Sequence, residues 1–296
     1  MTAQILPTTG GRPEVAGRRL SLTWLGAVPF LGYVGLFLIL PTGLVIFQAF
    51  FDAAGHPTLQ NVHALTQHYV LTAFVHSIVL SATSAVLGAV FGAVLAYLVV
   101  SGPADGVVRR IVTAASGVLA QFGGVILALA FLFTVGSQGL VTLALQNFGI
   151  DISGPWLYKL SGLIVVYTYF QIPLMVLVFL PALDGIRPQW REAAESLGGT
   201  SWQYWRHVAI PLLTPAFLGA TLLLFANAFA AYATAAALIT QGSTIIPLQI
   251  RVALTSEVVL GQENVAKALA LGMIIVVGVA MSLYAWMQRR TARWLR

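Results

Sequence analysis

Long uncharged apolar runs alternate with short polar connections along most of this chain, and six of the runs are long enough to cross a bilayer. They extend from about Trp24 to Phe50, Ala73 to Val100, Ile111 to Phe133, Leu160 to Leu180, Ile210 to Tyr232 and Ala266 to Met287. A helix rises about 1.5 Å per residue, so about 20 apolar residues cover a hydrocarbon core about 30 Å thick. The interiors of the six runs carry no Asp, Glu, Lys or Arg. Each such residue would cost about 2.5–3.5 kcal/mol at mid-membrane. The pattern predicts an all-α polytopic membrane protein with six transmembrane helices. Two further apolar runs, Leu140 to Ile150 and Ile245 to Leu254, are too short to span and are expected to be surface or re-entrant segments.

Composition agrees with lipid as the solvent. Hydrophobic residues make up 58% of the chain and charged residues 8%, against roughly 25% charged in soluble domains. Cysteine is absent, which excludes disulfides and thiolate chemistry. The five histidines, His56, His63, His68, His76 and His207, show no metal-ligand spacing, so no metal site is expected. Charge-free spans also argue against a proton pump or an ion-coupled carrier.

Basic residues set the expected orientation. Arg12, Arg18 and Arg19 precede the first run, Arg109 and Arg110 lie between the second and third, Arg187, Arg191 and Arg206 between the fourth and fifth, and Arg289, Arg290, Arg293 and Arg296 end the chain. Twelve of the fifteen Lys and Arg thus fall on one side, with Lys159, Arg251 and Lys267 on the other. The positive-inside rule places both termini in the cytoplasm. The net charge of +6 reflects this anchoring and is not a sign of nucleic acid binding. The first apolar run is longer than a signal-peptide core and is expected to be retained. The expected division is a tail over 1–23, a transmembrane domain over 24–287 and a tail over 288–296.

Uncharged polar groups inside the runs are candidates for a translocation path, Gln171 and Asn227 foremost, with Tyr167, Tyr169 and Tyr232 offering ring faces to a cationic solute. Helix-to-helix hydrogen bonding is the competing reading. Gly88 and Gly92 form a small-x-x-x-small pair that predicts close backbone packing, within the chain or across a dimer.

The connection from Arg187 to Pro211 departs most from this apolar background. Pro188 suits a first helical position, and Gly198 with Gly199 suits a left-handed exit, which predicts a short helix carrying Glu192, Ala193, Ala194 and Glu195. Thr200 and Gln203 then form a capping box for a second short helix through His207, and Pro211 opens the fifth span. Two carboxylates and a modest apolar face fit protein docking better than adhesion to anionic lipid.

The stretch Glu192-Ala193-Ala194, Gly198 and Val208-Ala209-Ile210-Pro211 resembles the EAA loop of permease subunits of binding-protein-dependent ABC importers of the type I fold. Val208 and Ile210 are conservative departures from the loop's preferred Ile and Leu. The resemblance implies a coupling loop over 181–209, with Glu192, Ala193, Ala194, Gly198 and Pro211 engaging a cytoplasmic ABC ATPase dimer. It further implies a second permease subunit, homologous or identical, a periplasmic or lipid-anchored substrate-binding protein, and residence in a bacterial inner membrane. ATP and Mg would belong to the ATPase, because the chain has no Gly-x-x-x-x-Gly-Lys-Ser/Thr loop and no catalytic constellation of its own. The runs Gln121-Phe122-Gly123-Gly124 and Phe133-Thr134-Val135-Gly136-Ser137-Gln138-Gly139 resemble the spermidine/putrescine, ferric ion and aminoethylphosphonate branch. A polyamine is therefore the first expectation for the solute, with ferric ion, aminoethylphosphonate or sugar as alternatives. A secondary carrier or facilitator and a membrane-embedded enzyme are the competing functions.

Overall fold

The computed structural model describes residues 23–52, 55–103, 105–239, 245–255 and 263–292. Arg12, Arg18, Arg19, Arg293 and Arg296 lie outside the described residues. Six helical stretches are long and apolar enough to cross a membrane: Ala27–Gln48, His68–Val100, Gly124–Gln146, Leu160–Asp184, Ser201–Ala230 and Asn264–Trp286. Among the described residues the extended backbone pairs only in an isolated bridge, Phe51 with Pro57. The protein is an all-α polytopic membrane protein.

The chain divides into two compact units, Met1–Leu44 and Val45–Arg296. In the first, α1 (Thr23–Val34) passes through a wide π turn at Gly35–Ile39 into α2 (Leu40–Gln48), whose last four residues belong to the second. The Leu40 N–H reaches back five residues to the Gly35 carbonyl. Pro41, which has no N–H to give, follows that widened turn and so removes no regular helix bond there.

In the second unit, α3 (Gln60–His63) leads to the long α4 (His68–Val100), then α5 (Val107–Leu119), α6 (Gly124–Val135) and α7 (Leu140–Gln146). The chain continues through α8 (Leu160–Asp184), α9 (Pro188–Ser196), α10 (Ser201–Tyr204) and α11 (Ile210–Ala230). It ends with α12 (Ala233–Leu238), α13 (Ile246–Thr255) and α14 (Glu263–Ala292). Of the six candidate spans, α8 is the most buried. It is apolar on every side, as a helix enclosed by others should be.

The α4–α8 crossing is the most extensive helix contact in this unit. A Cβ on Gly88 would overlap Gln171, and one on Gly92 would sit 2.5 Å from Met175 Cβ and 2.7 Å from the Ile172 carbonyl oxygen. The small-residue pair therefore serves packing within the chain. Residue numbers rise together along the contact, so the two helices run parallel. Lipid supplies no hydrophobic force between helices, so close approach and interhelical hydrogen bonds must hold them. The helix α11 packs on both, and one cluster joins Ala85, Ala89, Met175, Phe179, Leu213 and Leu224.

Two sequence expectations are corrected. The third candidate span is Gly124–Gln146, not Ile111 to Phe133. The apolar run is cut at Gln121–Gly123, and Gly124 takes φ +71°, a left-handed conformation that side chains resist. What precedes the cut is α5, a separate amphipathic helix exposing Val107, Val108, Ile111 and Val118. The run from Leu140, expected outside the spans, supplies the end of the third one as α7. The run from Ile245 is α13, a ten-residue helix packed on α14 and α4. Its first N–H, at Ile246, is taken up by the Ser77 hydroxyl of α4 at 2.9 Å.

Gly92→Leu is expected to overpack the α4–α8 crossing by about 1–3 kcal/mol and to lower the thermal midpoint of detergent-solubilised protein by several degrees. Gly117→Ala, in α5 where a Cβ meets nothing within 4 Å, should leave that midpoint unchanged or raise it.

Candidate functional site

The site is built at the far end of α8. Backbone exits α8 at Asp184, crosses Gly185–Arg187 and starts α9 at Pro188. Proline suits this first turn because its missing N–H has no intrahelical partner there. Within α9 the Arg191 Nε–H donates to Glu195 Oε1 at 2.9 Å, one turn apart, on an exposed face. The Ser196 hydroxyl donates to the Glu192 carbonyl at 2.8 Å. The helix then stops as the sequence predicts. Gly198 has φ +76°, and the Gly199 N–H returns to the Ala194 carbonyl at 2.9 Å.

The capping box is present in full. Gln203 Oε1 accepts from the Thr200 N–H at 2.7 Å, and Thr200 Oγ1 accepts from the Gln203 N–H at 3.3 Å. The expected separate second helix is not. Instead α10 runs through a π turn at Trp205–Ala209 directly into α11, giving one helical stretch from Ser201 to Ala230. Pro211 follows this π turn by two residues, as Pro41 follows the turn at Gly35–Ile39. The bond register is already displaced there, and a proline continues the helix at little cost. The island is thus an elbow of one short helix and the base of a span.

Between the two arms lies an open hollow of about 450 Å³, lined by Trp190, Ala193, Ala194 and Leu197 from α9 and by His207, Val208, Pro211 and Leu212 from the second arm. Almost all of its lining is apolar. Leu197 is 89% exposed, an arrangement that water alone would not favour. The structure therefore brings Ala193, Ala194 and Pro211 together and uses Gly198 as the stop. Glu192 lies outside this lining and is exposed, and its carboxylate makes no hydrogen bond or ion pair among the described residues. Sequence reading grouped Trp190, Ala193, Ala194 and Leu197 as a small apolar surface but missed His207 and Leu212 as lining residues, which no local spacing announces.

The elbow is tied to the bundle by aromatic and ionic contacts. Trp205 meets Tyr97 of α4 edge to face at 5.3 Å between centroids. Asp184 pairs with Arg109 of α5, a link across 75 residues that no local pattern announces.

Candidate path residues separate into two kinds. Tyr167 and Gln171 are fully buried. The Tyr167 hydroxyl donates to the Ala231 carbonyl at 2.7 Å, and Gln171 Nε2 donates to the Leu224 carbonyl at 2.6 Å. Both brace α8 against α11, and Tyr167 satisfies a carbonyl left free at the end of α11. Asn227 is exposed on α11, while Tyr232 is half-buried with the Arg251 guanidinium 5.9 Å from its ring centre.

Comparison with known proteins agrees with this architecture. The binding-protein-dependent transport system inner membrane component family matches residues 88–296, more than half of the chain. A protein of Haemophilus influenzae named for ferric transport is 26% identical over 261 residues, covering 86% of this chain and 40% of its own length. The sulfate transport system permease CysT of Escherichia coli is 27% identical over 195 residues, covering 65% of this chain and 66% of its own length. The chain thus spans less than two thirds of these relatives. A crystal structure of a bacterial ABC transporter involved in alginate import superposes with a TM-score of 0.74 at 20% identity, covering 91% of this chain and 95% of the other, which shows a shared fold. The chain belongs to the family of binding-protein-dependent transport system inner membrane components.

Proposed function

We propose that this chain is the membrane-spanning permease subunit of an ATP-driven importer in a bacterial inner membrane. Solute arrives from an external binding protein, periplasmic or lipid-anchored, and passes between this chain and a second permease subunit, homologous or identical. A cytoplasmic ABC ATPase dimer binds and hydrolyses ATP with Mg, and this chain performs no chemistry itself. The observation that carries the reading is the exposed apolar elbow with Ala193, Ala194 and Leu197 on one helix face. Small side chains let a partner helix or strand approach, and the bulky Leu197 and Trp190 give it something to grip.

In this reading both termini are cytoplasmic. The basic residues group by end of the bundle in a way that supports it. Arg109 meets Asp184 beside the Arg187 and Arg191 elbow, whereas Lys159 lies at the opposite end of α8. Asn227 and Tyr232 remain proposed path residues. Tyr167 and Gln171 are proposed as the braces that fix the path's wall.

The solute is proposed to be an inorganic oxyanion such as sulfate. Polyamine transport gains no support from the relatives, which are named for ferric ion and sulfate. The ring face of Tyr232 that a cation would use already lies under Arg251. That leaves a fixed positive charge beside a candidate path residue.

Reconstituted with its ATPase, second permease and binding protein, the Gly198→Val variant should show binding-protein-stimulated ATP hydrolysis reduced about tenfold. A β-branched residue at φ +76° costs about 1–2 kcal/mol, and the cost falls on the elbow. Gly198→Asn, which tolerates the left-handed region, should keep most of the stimulation. Equal, full stimulation in both variants would contradict the elbow's role. Titration of the cognate binding protein by calorimetry should show micromolar or tighter affinity for sulfate or a similar oxyanion and no heat with spermidine. Tight spermidine binding would restore the polyamine reading.

A further inference from the structure

The Arg109–Asp184 pair joins two elements that the docking elbow does not itself contain. Arg109 is in the first turn of α5, and Asp184 is the last residue of α8, four residues before α9 begins. Their side chains are 22% and 39% exposed, so the guanidinium is largely shielded from water. Asp184 stays open to water, so the pair acts more through the direction its hydrogen bond fixes than through burial. One turn further along α5, Val112 packs into the cluster that contains Leu180 and Leu183 of α8. The start of α5 is therefore fixed to the end of α8 by charge and by apolar contact together.

The other end of α5 meets a break in the helix. It stops at Leu119, and the chain crosses Gln121–Gly123 to Gly124, whose φ of +71° turns it into α6. Phe122, in this break, lines a second hollow of about 230 Å³ with Leu127, Phe131 and Tyr169. Phe131 and Tyr169 meet edge to face at 5.7 Å. A rigid helix about 20 Å long thus links the root of the elbow to an aromatic hollow between α6 and α8.

We propose that Arg109 and Asp184 are positioning residues for coupling. The pair makes α5 a second strut, so that displacement of the α8–α9 elbow by an ATPase also moves the α5–α6 break. The inference rests on the permease reading and adds to it a route that carries displacement onward from the docking face through residues outside the Glu192–Gly198 segment.

The test uses the full transporter in proteoliposomes, with the binding protein as purified from the periplasm and phosphate release as the readout. Arg109→Asp and Asp184→Arg should each lower binding-protein-stimulated hydrolysis about fivefold or more while basal hydrolysis persists. The charge-swapped double variant should restore stimulation to within about twofold of wild type, and Arg109→Lys should retain an intermediate share. Thermal midpoints are measured on every variant. Full stimulation in the single variants, or a swap no better than either single, overturns the proposal. So does loss of stimulation that tracks loss of thermal stability across the set, because the pair would then be a structural staple. If wild-type hydrolysis ignores the binding protein altogether, the permease reading itself falls, a result distinct from failure of the strut.

Discussion

Close contact between α4 and α8, made available by the missing side chains at Gly88 and Gly92, is the constraint on which the remaining structure depends. In lipid the hydrophobic effect does not press helices together, so backbones must approach or polar groups must pair across the gap. Here both occur at one place. Gln171, opposite Gly88, reaches past α4 to the Leu224 carbonyl and brings in α11 as the third member. Tyr167, one turn earlier on α8, repeats the connection at Ala231. The three helices form a wall held by these two donors, with Gln171 Oε1 buried and unpartnered among the described residues.

That wall gives α8 its mechanical character. Buried among its neighbours, it ends at Asp184 with α9 only a few residues further on. The elbow is correspondingly shaped from local devices: a proline at the start, a left-handed glycine at the end and a capping box beyond. Each fixes the direction of the chain without needing a buried core, which is why a segment with no buried residue in α9 still has a defined shape. Its apolar hollow stays open among the described residues.

The same distinction explains what the sequence disclosed. Capping and turn chemistry acts over three or four residues, so Pro188, Gly198, Thr200 and Gln203 were readable in advance. Five of the six spans were legible from apolar length alone. The third was misplaced because hydropathy does not register a left-handed break: Gln121–Gly124 interrupts an apolar run that continues in composition but not in geometry. Polar residues in spans were easy to find, yet their direction was not. Gln171 and Tyr167 point into the protein and Asn227 does not, a difference set by helix rotation against neighbours. The Arg109–Asp184 pair, 75 residues apart in sequence, belongs wholly to tertiary structure. Continuity of the second arm with α11 was hidden for a related reason. A proline at this place reads as a helix start, whereas here a π turn precedes Pro211 and the helix continues through it.

Absence of cysteine from this sequence makes the central claim, that the α9 elbow is the surface an ATPase grips, directly measurable. Single cysteines are placed at Leu197, in the elbow, and at Phe148, in the connection at the other end of α8, both strongly exposed. Each variant is treated, in membranes containing the cognate ATPase, with a short thiol-to-amine cross-linker, and the adducts are identified by mass. The account predicts an ATPase adduct from Leu197→Cys and none from Phe148→Cys. No adduct at position 197, or an adduct at position 148, would contradict it.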